Sequence, residues 1–196
     1  LELASYFFTV LLVLIIHFFL TYGSLLFLLT KVRLVYFYSK MKNAILFAFS
    51  TASSAATIPV TLKTVEEELK VEKSVASFSV PLGATINMDG TAIMQGVATI
   101  FIANAYGINL EISDFISVIM VATLASIGTA GVPGVGLIML AMVLNQVGLP
   151  SEGIALIIGI DRLLDMTRTA VNVTGDATIS CVVASSEKKI NYNYKE

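Results

Sequence analysis

The stretch that decides the fold is DRLLDMTRTAVNVTGDA, residues 161–177. Read as a helix, it places Asp161, Asp165, Arg168, Asn172 and Asp176 at offsets of 0, 4, 7, 11 and 15. At roughly 100° per residue, these side chains share an arc of about 80°. A narrow polar stripe therefore runs along an otherwise apolar element, expected to extend over 152–187. A bilayer span needs roughly 20 residues, and a charge at its centre costs about 2.5–3.5 kcal/mol on insertion scales. Such a stripe demands partners.

Three further interruptions lie upstream. PLGATINMDGTA (81–92) breaks the apolar run 74–110 with Pro81, Gly83, Asn87 and Gly90, and Asp89 sets a carboxylate at membrane depth. Irregular backbone survives there only when buried in protein or lining a cavity. SIGTAGVPGVG (126–136) divides the run 114–150 at the middle of a stretch, Phe115 to Ser151, that carries no charge. Each arm has about 13 residues, too few to cross, which predicts a hairpin that enters and leaves on one side. FSTASSAATIPVT (49–61) predicts another over 34–73. It is small and hydroxylic, with Pro59 expected to keep Ile58 out of helical geometry. The first run, within 1–31, is uncharged from Leu3 to Thr30 apart from His17 and predicts a plain spanning helix. Two hairpins, each followed by a broken or polar helix, suggest an inverted repeat with a binding site at the midplane.

Composition agrees. The 196 residues are 56% hydrophobic and 13% charged, with mean hydropathy +0.85; a soluble domain carries about 25% charge. A soluble enzyme, a disordered tail and a basic nucleic-acid-binding face are excluded. One cysteine and one histidine exclude a disulfide framework, a CxxC redox pair and histidine-rich catalysis. The fold class expected is an all-α membrane protein of transmembrane helices plus two re-entrant helical hairpins, multi-pass in the cell membrane. LELASYFF at the start lacks the basic region and cleavage site of a signal peptide, and the chain is expected to be an internal piece of a longer transporter. With both hairpins re-entrant, Lys31, Arg33, Lys40, Lys42, Lys63, Lys70, Lys73, Lys188, Lys189 and Lys195 fall on the cytoplasmic side. The connections near 108–114 and 149–154 hold no Lys or Arg, in line with the positive-inside rule.

The polar residues suit hard cations and a carboxylated solute. Asn172, Asp176, Asp89 and free carbonyls of the broken NMDG segment offer oxygen ligands. Arg168 has the planar fork for bidentate carboxylate recognition, and Asp165 can take an ammonium. The purely structural alternative is an Asp165–Arg168 ion pair that only holds helices together. An aspartyl protease would need two facing carboxylates sharing a proton, which a nearby arginine opposes. His17 is read as packed or interfacial, Cys181 as a small buried residue, and Glu66–Glu68 as a solvated turn.

SSAATIPVT (53–61), GATINMDGTA (83–92), ASIGTAGVPGVGLIMLAMVL (125–144) and LLDMTRTAVNVTGDA (163–177) together resemble the glutamate/aspartate transporter family, the dicarboxylate/amino acid:cation symporters, notably its archaeal and bacterial sodium–aspartate members. The resemblance covers nearly the whole chain and implies most of the mobile transport domain of an elevator-type symporter, not an enzyme. It implies a homotrimer built on scaffold helices that lie elsewhere. It implies sodium as the coupling ion, no other cofactor, and an acidic amino acid as substrate. A proton-coupled or C4-dicarboxylate carrier, or a non-transporting fragment, are the alternatives.

The resemblance also assigns residues. Arg168 would read the substrate's side-chain carboxylate and Asp165 its amino group. Ser54, Thr91, Thr169, Asn172 and the backbones of Val132 and Gly136 would add contacts. Gly83, Asn87, Asn172 and Asp176 resemble one sodium site. Thr85, Ser126, Ile127 and Thr129 resemble a second. Asn87 and Asp89 resemble half of a third, completed from a helix outside these motifs. Ala52 and Met166 stand where relatives carry a further arginine.

Overall fold

A computed structural model describes residues 2–192; Leu1 and residues 193–196, Lys195 among them, lie outside the description. Among the described residues the chain is helical throughout, apart from one isolated antiparallel bridge, Val71–Ile190.

The Leu- and Phe-rich opening forms α1 (Glu2–Ile16) and α2 (Tyr22–Leu29), joined through one π-helical turn, His17–Thr21. Together they make a helix of 28 residues, Glu2–Leu29, about 42 Å long. It is the one helix among the described residues long and apolar enough to cross a membrane by length and composition. The π turn was not anticipated.

α3 (Leu34–Thr51) and α4 (Ser54–Lys63) run back along each other. They reverse at Ala52, which adopts the left-handed conformation with φ 50°. Ser53 then caps α4, its Oγ accepting from the Ala56 N–H at 3.1 Å. The expectation for Pro59 fails: α4 passes through it and Ile58 is helical. The chain already turns at Ala52 and Ser53, where a cap supplies the missing partner. Pro59 only deprives the Ala55 carbonyl of an intrahelical donor.

A π turn, Thr64–Glu68, leads to α5 (Lys73–Ile86), which stops at Asn87–Met88 before α6 (Asp89–Ala105). α7 (Ile112–Ile127) and α8 (Val135–Gln146) form the second hairpin. Their arms have 16 and 12 residues, unequal rather than about 13 each, and both fall short of a roughly 30 Å hydrocarbon core. A short 3₁₀ segment, Ser151–Leu156, precedes α9 (Ile158–Ser186).

α9 is the axle. From Arg168 to Thr178 every residue is buried. Leu164 and Val171 join an apolar cluster with Tyr6, Val10, Leu14, Met94, Ile102, Val118 and Leu140. Val173, Ala177 and Cys181 join a second with Leu26, Phe37, Met41, Ala48 and Val80. The outward faces of α1, α2, α7 and α8 expose large apolar residues, including Phe8, Leu12, Phe27, Ile119, Leu124 and Ile138.

After α9 the chain returns to the base of the first hairpin. The Glu72 N–H donates to the Lys189 carbonyl at 2.8 Å, and the Asn191 N–H to the Lys70 carbonyl at 3.0 Å. Lys188 and Lys189 thus reach the end of the molecule that carries Lys70 and Lys73. At that base Lys40 pairs with Glu68 at 2.7 Å. The Lys40 ammonium holds the Glu68 carboxyl below the usual carboxylate range, and the same bond raises Lys40.

Candidate binding site between the hairpin tips

The two reversals meet. The Gly131 carbonyl accepts from Ser53 Oγ at 2.7 Å and from the Ala55 N–H at 3.0 Å. A Cβ at Gly131 would lie 2.9 Å from the Ala84 carbonyl oxygen, so the end of α5 closes on the same point. Between them lies a half-open cavity of about 20 Å³, room for about one water. Ser54, Thr91, Val132, Gly136, Asp165, Thr169 and Asn172 line it, as do Ala52, Met88 and Thr129. The substrate contacts expected from the sequence are thus brought together, with one exception.

That exception is Arg168, which is 1% exposed and turned away from the cavity into two carboxylates. Nη1 lies 2.6 Å from Asp161 Oδ1, and Nη2 lies 3.0 Å from Asp165 Oδ1. A buried guanidinium requires such compensation, and the stripe supplies it one and two turns back. Asp165 also accepts from the Gly134 N–H at 3.0 Å through Oδ2. Gly134 holds φ 81°, a conformation that suits glycine. The ion pair first considered as a structural alternative is present and extends to Asp161. Arg168 stays within reach of the cavity wall: a Cβ at Gly136 would lie 3.4 Å from Nη2. Among the described residues its buried Nε finds no hydrogen-bond partner, nor does Gln95 Oε1 or Tyr6 OH.

Below the cavity, Gly83, Asn87, Asn172 and Asp176 converge at the break between α5 and α6. Asn87 Nδ2 donates to Asp176 Oδ1 at 3.0 Å and to the Asn172 carbonyl at 3.1 Å. Asn172 Oδ1 accepts from the Gly90 N–H at 2.8 Å. A Cβ at Gly83 would stand 2.6 Å from Asp176 Oδ1, so glycine is what lets the carboxylate approach this backbone. Gly175 plays the same part across the helix: a Cβ there would meet Asn87 Nδ2 and lie 2.5 Å from the Tyr22 hydroxyl. No group of three or more His, Cys, Asp or Glu among the described residues could hold a metal ion. What converges there is one buried carboxylate with amide and carbonyl oxygens, hard donors throughout.

The set Thr85, Ser126, Ile127 and Thr129 lies at the end of α5 and on the α7 side of the second tip. Thr85 is exposed and donates to its own Pro81 carbonyl at 3.3 Å. Ile127 is exposed, while Ser126 and Thr129 bond to Thr123 and Ala125 of their own helix. Asp89 reaches the first helix beside Asn87, with the Tyr22 hydroxyl near both. Its Oδ2 lies 3.1 Å from His17 Nε2 and accepts from the Tyr22 hydroxyl at 3.1 Å.

Sequence reasoning missed three participants. Asp161 lay on the stripe, and its place seven residues before Arg168 was the available signal. Ser53, not Ser54, makes the bond between tips. The His17–Tyr22–Asp89 cluster joins residues 72 and 67 positions apart, and only the oddity of an intramembrane histidine hinted at it.

Two hairpin tips meeting over a broken helix, with a polar stripe beneath, make an all-helical fold that fits the transporter class. The chain belongs to the sodium:dicarboxylate symporter family, whose model matches residues 1–186. It is similar to excitatory amino acid transporter 3 of Mus musculus, 44% identical over 96% of this chain and 36% of that protein. It is similar to the putative sodium-dependent excitatory amino acid transporter glt-3 of Caenorhabditis elegans, 47% identical over 89% of this chain and 33% of that protein. Excitatory amino acid transporter 2 of Homo sapiens is 44% identical over 90% of this chain and 31% of its own length. The chain spans about a third of the length of these curated relatives.

Proposed function

We propose that this chain is the substrate-carrying part of a multi-pass membrane symporter that moves an acidic amino acid with sodium. The observation that carries the reading is the small polar cavity between the tips, lined by Asp165, Thr169 and Asn172 with Arg168 against its wall. Helical hairpins too short to cross, apolar outer faces and lysines gathered at one end support re-entrant hairpins in a cell membrane.

Arg168 is held by two acids rather than one. A substrate carboxylate entering the cavity competes for its fork, and the substrate ammonium compensates Asp165 as Arg168 leaves it. This exchange needs both charges of an amino acid. A C4-dicarboxylate would leave Asp165 uncompensated, which favours the amino acid over the dicarboxylate carrier. Asp176, Asn172, Asn87 and Gly83 hold sodium below the cavity, where the ion neutralises a buried carboxylate. Asn87 and Asp89 contribute to a further ion. The site formed by Thr85, Ser126, Ile127 and Thr129 assembles as the second hairpin rearranges.

Sodium and substrate binding are then linked, each tightening the other. The loaded, charge-balanced bundle crosses in an elevator motion, within a homotrimer whose scaffold lies outside these residues. Sodium-driven uptake of labelled aspartate into proteoliposomes containing the full-length protein tests the reading. Arg168→Ala abolishes uptake and leaves sodium binding intact. Undiminished aspartate uptake by that variant overturns the assigned role.

A further inference from the structure

Four charged side chains stand within seven residues of one another on the first half of α9, and three are locked together. Asp161, Asp165 and Arg168 form one buried cluster of net charge −1. The fourth, Arg162, is exposed and has no hydrogen bond or ion pair among the described residues.

Its position is specific. Thr169 lines the cavity, and Arg162, seven residues earlier, lies only about 20° from it around the helix and about 10 Å up the axis. Asp165, another lining residue, is a three-residue neighbour, within side-chain reach on a helix surface. Helical side chains lean toward the helix N-terminus, so Arg162 leans away from the cavity floor and stands at its rim. An acidic amino acid carries net charge −1. Without Arg162 it approaches a cluster of its own sign; with Arg162 the four groups sum to zero.

Resting on the function proposed above, we infer that Arg162 is a specificity-determining residue at the mouth of the site, the free cation that draws the anionic substrate toward the cavity. It attracts without entering the closed complex, so it governs capture and not translocation. A guanidinium is not required for this. Any positive charge at 162 serves, and a negative one repels.

The test is sodium-driven aspartate uptake by the full-length protein in proteoliposomes at fixed sodium, with choline chloride varied. Arg162→Ala raises KM about tenfold, within the range of electrostatic steering, and leaves the maximal rate unchanged. Arg162→Glu raises KM further, and Arg162→Lys restores it to near wild type. Added salt shrinks the differences, because screening shortens to about 3 Å at 1 M. Equal KM for wild type, Arg162→Ala and Arg162→Glu overturns the inference while the proposed function stands. So does a fall in maximal rate at unchanged KM, which would mark a merely structural residue. A wild-type protein that takes up no acidic amino acid overturns both.

Discussion

Ser53 and Gly131, 78 residues apart, are joined by a 2.7 Å hydrogen bond from the serine hydroxyl to the glycine carbonyl. The same hydroxyl oxygen accepts from the Ala56 N–H, so one atom both starts α4 and ties the two hairpins. Ser53→Ala removes one of the two bonds to the Gly131 carbonyl, the Ala55 N–H keeping the other, and the cap with it. Each is worth about 1 kcal/mol. Amide hydrogen exchange over residues 129–134 accelerates severalfold in this variant. Exchange at the wild-type rate would show that the tips are held by other contacts.

Gly83→Ala drives a methyl into Asp176, since the added carbon would stand 2.6 Å from Oδ1. Overpacking of this kind costs about 1–3 kcal/mol, and here it is spent on the proposed ion site. Sodium affinity, read by titration calorimetry on the full-length protein, falls at least about tenfold, the equivalent of 1.4 kcal/mol. Gly96→Ala is the control, because nothing lies within 4 Å of a Cβ there. Equal sodium affinity in both variants would separate Gly83 from the ion.

Removing one side of the Arg168 cluster strands the other. Arg168→Met leaves Asp161, 4% exposed, without its cation, and breaking a buried pair in this way costs about 3–5 kcal/mol. Asp161→Asn in the Arg168→Met background recovers part of that loss. Melting of the purified protein in detergent reads both steps. A double variant no more stable than Arg168→Met would mean that Asp161 finds another partner.

The exposed Lys40–Glu68 pair sets a pH window. Glu68 is lowered from 4.5, so its contribution is present above that value and is lost as pH falls through the lowered pKa. Lys40 is raised from 10.5, so its contribution is present below that value and is lost as pH rises through the raised pKa. Glu68→Gln therefore lowers the melting temperature slightly at pH 7, and by progressively less as the pH falls through the lowered Glu68 pKa. High salt erases the difference, as for any solvent-facing pair. A difference that does not shrink as the pH falls would assign the effect to packing.

Much of this was legible in the chain. The stripe from Asp161 to Asp176 specified both the long helix and its buried face, because carboxylates on a helix this apolar have only the protein interior in which to find partners. The break at Asn87–Met88 was readable from Asn87, whereas Pro81, Gly83 and Gly90, expected to interrupt the helix as well, lie inside α5 and α6. What failed was local or long-range. Pro59 suggested a boundary, but a proline inside a helix deprives only one carbonyl of its donor, and the cap at Ser53 outweighed it. No spacing rule reaches from His17 to Asp89, since that contact depends on how two distant helices pack. Asp161 was visible but unassigned, because the stripe alone did not say which acid the guanidinium would choose.

Gly175 has a consequence for how the molecule can move. Its missing side chain is the slot into which Tyr22 and Asn87 are seated, and the residues on either side, Thr174 and Asp176, are too large to fill it. α9 is therefore keyed to the first helix like a bolt with one notch: a slip of a single residue in either direction jams. The broken helix and the first two helical segments must travel as one casting. The freedom to open then belongs to the second hairpin, whose tip is pinned, among the described residues, by a few bonds at Gly131, Gly134 and Gly136.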